Sequence, residues 1–148
     1  MQSSMESLQV LPSQVSPSAA MPPSKAATWT GRAMSALVIV FLLFDGAIKM
    51  VPLDIVITTS EQLGIPGELA RVLGTLTLLS TILYMIPQTS VLGAILLTGY
   101  LGGGIWTHLR IGSPLFGHTL FGVYLGLLIW GGLYLRDERV RALIPFRR

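Results

Sequence analysis

The chain has 148 residues, 51% hydrophobic and only 11% charged, with a mean hydropathy of +0.68; a soluble domain carries roughly 25% charged residues to cover its surface, so the composition fits a membrane protein better than a water-soluble one. The formal net charge of +3 comes mostly from Arg136, Arg139, Arg141, Arg147 and Arg148, a basic tail without interleaved aromatic residues, which argues against a nucleic-acid surface. No cysteine is present, which excludes disulfides, iron–sulfur clusters, thiolate–zinc sites and thiol redox cycling.

Residues 1–30 are rich in Ser, Pro, Gln, Met and Ala, hold Lys25 as their only cation and contain no long apolar run. They read as a disordered tail, with neither the charged start nor the apolar core of a secretory signal, so no cleavage is expected. Residues 31–136 read as the membrane domain. Its apolar segments, about 33–51, 69–86, 91–109 and 115–135, each span roughly 27 to 32 Å as helices, the thickness of a bilayer core. Helix is required because backbone groups in lipid must be satisfied within the segment or in a closed barrel, and none of these runs alternates with period two. The breaks fall at Pro52, Gly64-Ile65-Pro66-Gly67, Pro87 and Gly112-Ser113-Pro114.

Only the first connection is long enough for structure of its own. Leu53, Val56, Ile57, Ser60 and Leu63 in PLDIVITTSEQLGI recur with helical spacing, which predicts a short helix lying in the interface. The expected fold is an all-α membrane protein, a four-transmembrane-helix up-and-down bundle with this short helix between the first and second spans. Residues 137–148 form a basic tail. With four spans both termini share a side, which carries Lys25, Arg32 and the five tail arginines against Lys49, Arg71 and Arg110 opposite; the termini are expected to be cytoplasmic. Trp29, Trp130 and Tyr134 fall near the cytoplasmic helix ends and Trp106 near the outer end of the third span, where amphipathic rings prefer to sit.

The first span contains FDGAIKM, an acid and a base inside an apolar run. Asp45 falls about 10 Å below the outer end, Lys49 and Arg71 about 4 to 5 Å inside, His118 about 6 Å inside, and His108 closes the third span. One polar cluster at one depth is the simplest arrangement. Asp45 and Lys49 share a helix face at i, i+4 with the acid first, the better order for pairing. Each charge alone at the bilayer centre would cost roughly 2.5 to 3.5 kcal/mol; Lys49 and Arg71 can snorkel, whereas Asp45 is too short and needs a partner. Two readings stand side by side: a pair that only locks the first helix against its neighbours, with Arg71 an interfacial anchor, or a pocket where these groups hold a polar ligand or carry a proton.

His108 and His118 flank the hairpin THLRIGSPLFGH at comparable depth. Two histidines without local carboxylate spacing are a weak signal for haem or metal, so no metal is assigned and each reads as an interfacial or hydrogen-bonding residue. Arg110 could face headgroups or a ligand carboxylate, with exposure the default. Gly99 and Gly103, and Gly122 and Gly126, are spaced as small-xxx-small packing faces. On the fourth helix His118, Gly122 and Gly126 form one stripe, which predicts that His118 points along the packed face. The run Gly102-Gly103-Gly104 is not a phosphate loop, since it lacks the strand and Lys.

The segments FLLFDGAIKM, LGIPGELARVLGTLTLLSTILYMIP and TSVLGAILLTGYLGGGIWTHLRIGSPLFGHTLFGVYLGLLIWGGLYLRDERVRALIP together resemble the DoxX-like family of small four-span bacterial membrane proteins, over about residues 35–146; LGAILLTGYLGG, HLRIGSPLF and GLYLRD carry the likeness. The broader family takes its name from a membrane subunit associated with thiosulfate:quinone oxidoreductase, so the resemblance implies redox partners or quinone contact in the bacterial plasma membrane. Asp45, Lys49, His108, Arg110 and His118 lie in the family-like motifs, but the resemblance assigns them no catalytic role. Three readings follow. A quinone- or lipid-binding accessory subunit predicts a ligand-sized cavity among the helices. A small proton-coupled transporter predicts an accessible Asp45, against which Lys49 supplies a fixed counter-ion in place of an exchangeable proton. A non-catalytic assembly or scaffold protein predicts that the glycine faces, docking partners, matter more than Asp45; the partner expected is a membrane redox protein or a second copy in a homo-oligomer, the transporter reading implying a dimer.

Overall fold

A computed structural model describes residues 24–51 and 53–143; residues 1–23 of the expected tail, Pro52 and residues 144–148 lie outside the described residues. The elements in chain order are α1 (Lys25–Met50), α2 (Asp54–Gln62), a 3₁₀ turn (Gly67–Leu69) leading into α3 (Ala70–Met85), α4 (Ser90–Arg110), a π-helical turn (Leu115–Thr119) leading into α5 (Phe121–Arg136), and α6 (Glu138–Leu143). Among the described residues there is no strand. Among the described residues four helical stretches are long and apolar enough to cross a membrane: Lys25–Met50, Gly67–Met85, Ser90–Arg110 and Leu115–Arg136. The expected all-α four-span bundle with a short helix after the first span is the observed architecture.

The main difference in extent is at the start. α1 begins at Lys25, inside the segment assigned to the tail, because Ser24 caps it by accepting from the Ala27 N–H at 3.2 Å. Hydropathy marks where the lipid begins, whereas the cap marks where the helix begins. At 26 residues α1 is about 39 Å long against a core of about 30 Å, so its first turns extend beyond the apolar layer. There Arg32 lies 5.6 Å from the centroid of the Trp29 ring.

α1 packs against α3 and α5, and α4 packs against the same two, which makes a square bundle with α1 and α4 on opposite corners. The close approaches are made by glycines, and they change partner along each helix. At the end where the chain termini lie, a Cβ on Gly31 would sit 2.9 Å from the Gly132 carbonyl oxygen of α5. At the opposite end, here the α2 pole, a Cβ on Gly74 of α3 would sit 2.9 Å from the Gly46 oxygen of α1. α1 therefore leans on α5 first and on α3 later. α4 does the reverse, with Gly93 against the α3 backbone at Tyr84 and Leu101 against Gly122 of α5.

These are not all the glycines that the spacing selects. Gly122 is a contact residue, but Gly99, Gly103 and Gly126 have open space where a side chain would be. The buried stripe of α4 is Ser90, Gly93, Ala94, Leu97 and Leu101, which turns Gly99 and Gly103 outward. Spacing fixes which glycines share a face and leaves open which way that face points.

Several buried hydroxyls are satisfied within the bundle, as a lipid environment demands. Thr77 donates to Leu73 O at 2.8 Å and Thr81 to Thr77 O at 2.7 Å. At the terminal end, fully buried Tyr84 donates to Ile129 O at 2.9 Å and its hydroxyl lies 3.0 Å from Ser35 Oγ. The Arg136 guanidinium stacks over its ring at 5.2 Å, so one side chain ties α1, α3 and α5 together.

Two matching turns shape the α2 pole. Among the described residues Gly64 and Gly112 are those with positive φ, at 69° and 68°. Each follows a helix whose last carbonyls are closed in the same pattern: Ile65 N to Ser60 O and Gly64 N to Glu61 O in one, Ser113 N to His108 O and Gly112 N to Leu109 O in the other. Pro66 and Pro114 then start the next helical turn. Gly112→Ala meets no neighbour and is expected to destabilise by the left-handed strain alone, about 1 to 2 kcal/mol. Gly64→Ala would in addition place its Cβ 2.6 Å from Arg110 Nη2. Unfolding titrations in mixed detergent should show the larger loss for Gly64→Ala, with the excess disappearing in an Arg110→Ala background.

Candidate functional site

The partner exchange of α1 and α4 leaves a cavity of about 670 Å³ at the α2 pole, lined by α1, α2, α4, the π turn and α5, with Leu73 of α3. Asp45, Lys49, His108 and His118 all line it. Asp45 and Lys49 form an ion pair at 2.5 Å, with side chains 29% and 20% exposed respectively. Lys49 also falls in the last turn of α1, where a cation complements the helix dipole. The pair presents two opposite charges with no net charge between them.

The two histidines are brought together by the α4–α5 turn, with ring centroids 5.8 Å apart and planes tilted by 49°. His108 Nδ1 lies 3.0 Å from Ser113 Oγ, and the Ser113 N–H donates to His108 O at 3.0 Å. Ser113 thus braces both backbone and ring, leaving Nε2 of His108 as the nitrogen free to meet a ligand. His118 does not lie along the packed face. It is exposed, because the π turn, closed by Leu120 N to Leu115 O at 2.9 Å, breaks the helical register between His118 and Gly122.

Below this polar tier the cavity is apolar. Leu42, Leu101 and Leu125 line it and are buried. They stand seven residues from Lys49, His108 and His118 on their respective helices, about 10 Å deeper. They form a floor of leucine under a tier of charge and imidazole.

Two expected members are elsewhere. Arg71 lines a smaller neighbouring pocket of about 360 Å³ together with Glu61, Glu68 and the shared Lys49. Arg110 is exposed and donates to Leu63 O at 2.8 Å and to Gly64 O at 3.4 Å, so it staples the α2 turn to the end of α4. Sequence reasoning missed Ser113, Phe41 and Phe121. Ser113 lies five residues after His108 across a Gly-Ser-Pro turn, a spacing that the turn chemistry could have flagged. Among the described residues no three His, Asp or Glu side chains group closely enough to hold a metal ion. The arrangement can seat an uncharged polar head between the ion pair and the imidazoles, with apolar substance beneath it.

A model of the family described as "DoxX-like family" matches residues 33–132, a range that contains every residue lining the larger cavity. No curated protein and no solved structure matches the chain.

Proposed function

Because the chain belongs to the DoxX-like family and hollows its four-span bundle at one pole, we propose that it binds a quinone- or lipid-class amphiphile as an accessory subunit of a membrane redox system. The observation that supports this is the convergence of Asp45–Lys49 and His108–His118 on one cavity of about 670 Å³, within the range of about 300 to 1,000 Å³ typical of small-molecule sites. A ring carbonyl or hydroxyl finds a cation and imidazole nitrogens in the polar tier, and the leucine floor accepts the ring edge. The excess of cations on the terminal side orients the termini to the cytoplasm and the cavity toward the outer leaflet of a bacterial plasma membrane.

The competing reading is assembly through α4, whose Gly99 and Gly103 are open and face outward. Both are tested by purifying the protein in native lipid particles and extracting small hydrophobic molecules for mass spectrometry. Wild type should enrich one defined quinone or lipid at least ten-fold over bulk lipid, and His108→Leu should abolish that enrichment while Gly99→Leu leaves it intact. Bulk lipid alone in every sample would defeat the binding reading. Loss of a co-purifying protein or of self-association in Gly99→Leu would favour assembly.

A further inference from the structure

The cavity is blocked below. Leu42, Leu101 and Leu125 are 1%, 8% and 6% exposed and lie about 10 Å below the polar tier, so a longer chain does not continue along the bundle axis. A ligand with an apolar chain must send that chain sideways.

The bundle has two seams at the α2 pole, and they are closed differently. The α3–α4 side is closed by α2, which packs against α3 and whose following turn is tied to the end of α4 by Arg110 through Leu63 O and Gly64 O. The α1–α5 seam is covered by side chains. α1 has by then transferred its glycine contact from Gly132 of α5 to Gly74 of α3, and it meets α5 through Phe41 and Phe121. Their rings stand edge to face with centroids 5.3 Å apart. Both line the cavity, and both are exposed on the outside, at 38% and 41%. Each therefore borders the cavity without being sealed in the core. Phe41 is four residues before Asp45 and one before Leu42, and Phe121 is three after His118, which sets Phe121 above the leucine floor and Phe41 level with it.

We infer that the Phe41–Phe121 pair is a lateral portal through which a chain-bearing amphiphile dissolved in the bilayer enters, its head resting in the polar tier and its chain left in the lipid between α1 and α5. The inference rests on the ligand-binding reading above and adds to it the route of entry and the place of the chain. An aromatic edge-to-face contact contributes only about 0.5 to 1.5 kcal/mol and opens by side-chain rotation, with no helix displaced.

The test uses the absence of native cysteine. Phe41→Cys and Phe121→Cys are combined and bridged by a short bis-methanethiosulfonate reagent, which a reductant removes. Binding and release of two probes are followed in lipid nanodiscs: a benzoquinone ring bearing a decyl chain and the same ring without it. Bridging should slow exchange of the decyl probe at least ten-fold, fully reversed by reduction, and alter exchange of the bare ring less than two-fold. Reversal on the same sample separates portal closure from misfolding. If bridging affects both probes equally or neither, while His108→Leu still abolishes their binding, the portal is wrong and the site stands. If wild type and His108→Leu retain the probes equally, the site itself is wrong and the portal falls with it.

Discussion

Replacement of Gly93 by alanine is expected to be the most damaging single-methyl change in the bundle, destabilising it by about 3 kcal/mol or more. A Cβ there would fall on the backbone N and Cα of Tyr84 and lie 2.8 Å from the Leu83 carbonyl carbon. Backbone atoms cannot rotate away as a side chain can, so α3 and α4 would have to separate. The connection between them, Ile86–Thr89, is short and itself tied by Thr89 Oγ1 to Leu83 O at 2.8 Å. Separation would also pull Tyr84 from Ile129 O and Ser35, leaving buried polar groups unpaired at about 1 to 3 kcal/mol each. Gly99→Ala and Gly103→Ala provide the contrast, since both positions lie in α4 with open space around them. They should be neutral or slightly stabilising, because alanine is the better helix former by about 1 kcal/mol. Equal unfolding midpoints for Gly93→Ala and Gly99→Ala in mixed detergent would refute the packing described.

The contrast between these glycines also shows how far the sequence could be read. Hydropathy and the Gly-Pro breaks locate four spans and the short helix to within one or two residues at most ends, because both signals are local: a run of apolar residues and the turn that stops it. Gly112-Ser113-Pro114 could be recognised as a turn without knowing what lies beside it. Which glycine packs is a question about rotation, and one helix of apolar residues looks much the same on every side when its outer face is lipid. Gly99 and Gly103 thus carried the familiar spacing, and Gly93, seated against Tyr84, carried the contact.

The candidate site divides along the same line. Asp45 with Lys49 is a local pair, legible from i, i+4 spacing, and it is formed at 2.5 Å. The proximity of His108 and His118 could be expected from the hairpin that joins their helices, although the π turn that exposes His118 left no clear mark in the sequence. Arg71 and Arg110 were grouped with these residues by depth alone. Depth places residues in a layer without saying on which side of α2 they fall, and α2 separates Arg71 from the larger cavity. Phe41 and Phe121 were invisible for another reason: an aromatic residue in an apolar span carries no signal until its partner across the seam is known.

The second large effect concerns that ion pair, and its two single substitutions should not be equal. Lys49→Leu leaves a carboxylate on a side chain too short to reach the headgroups, in a cavity with an apolar floor. The loss should approach 2 to 3 kcal/mol, near the roughly 2.5 to 3.5 kcal/mol of an unpaired charge on insertion scales. Asp45→Leu leaves an ammonium in the last turn of α1, which can extend along its own stem toward water, and should cost less than half as much. Removing both charges, as Asp45→Leu with Lys49→Leu, should return stability to within about 1 kcal/mol of wild type, because a desolvated pair and an apolar pair of similar volume are close in free energy. This folded, uncharged variant separates the two readings of FDGAIKM. If the pair only locks α1 in place, the double variant keeps whatever hydrophobic molecule co-purifies with wild type. If the pair seats the polar head of a ligand, the double variant unfolds like wild type in mixed detergent yet retains the ligand at least ten-fold less well, a result that a purely structural pair could not give.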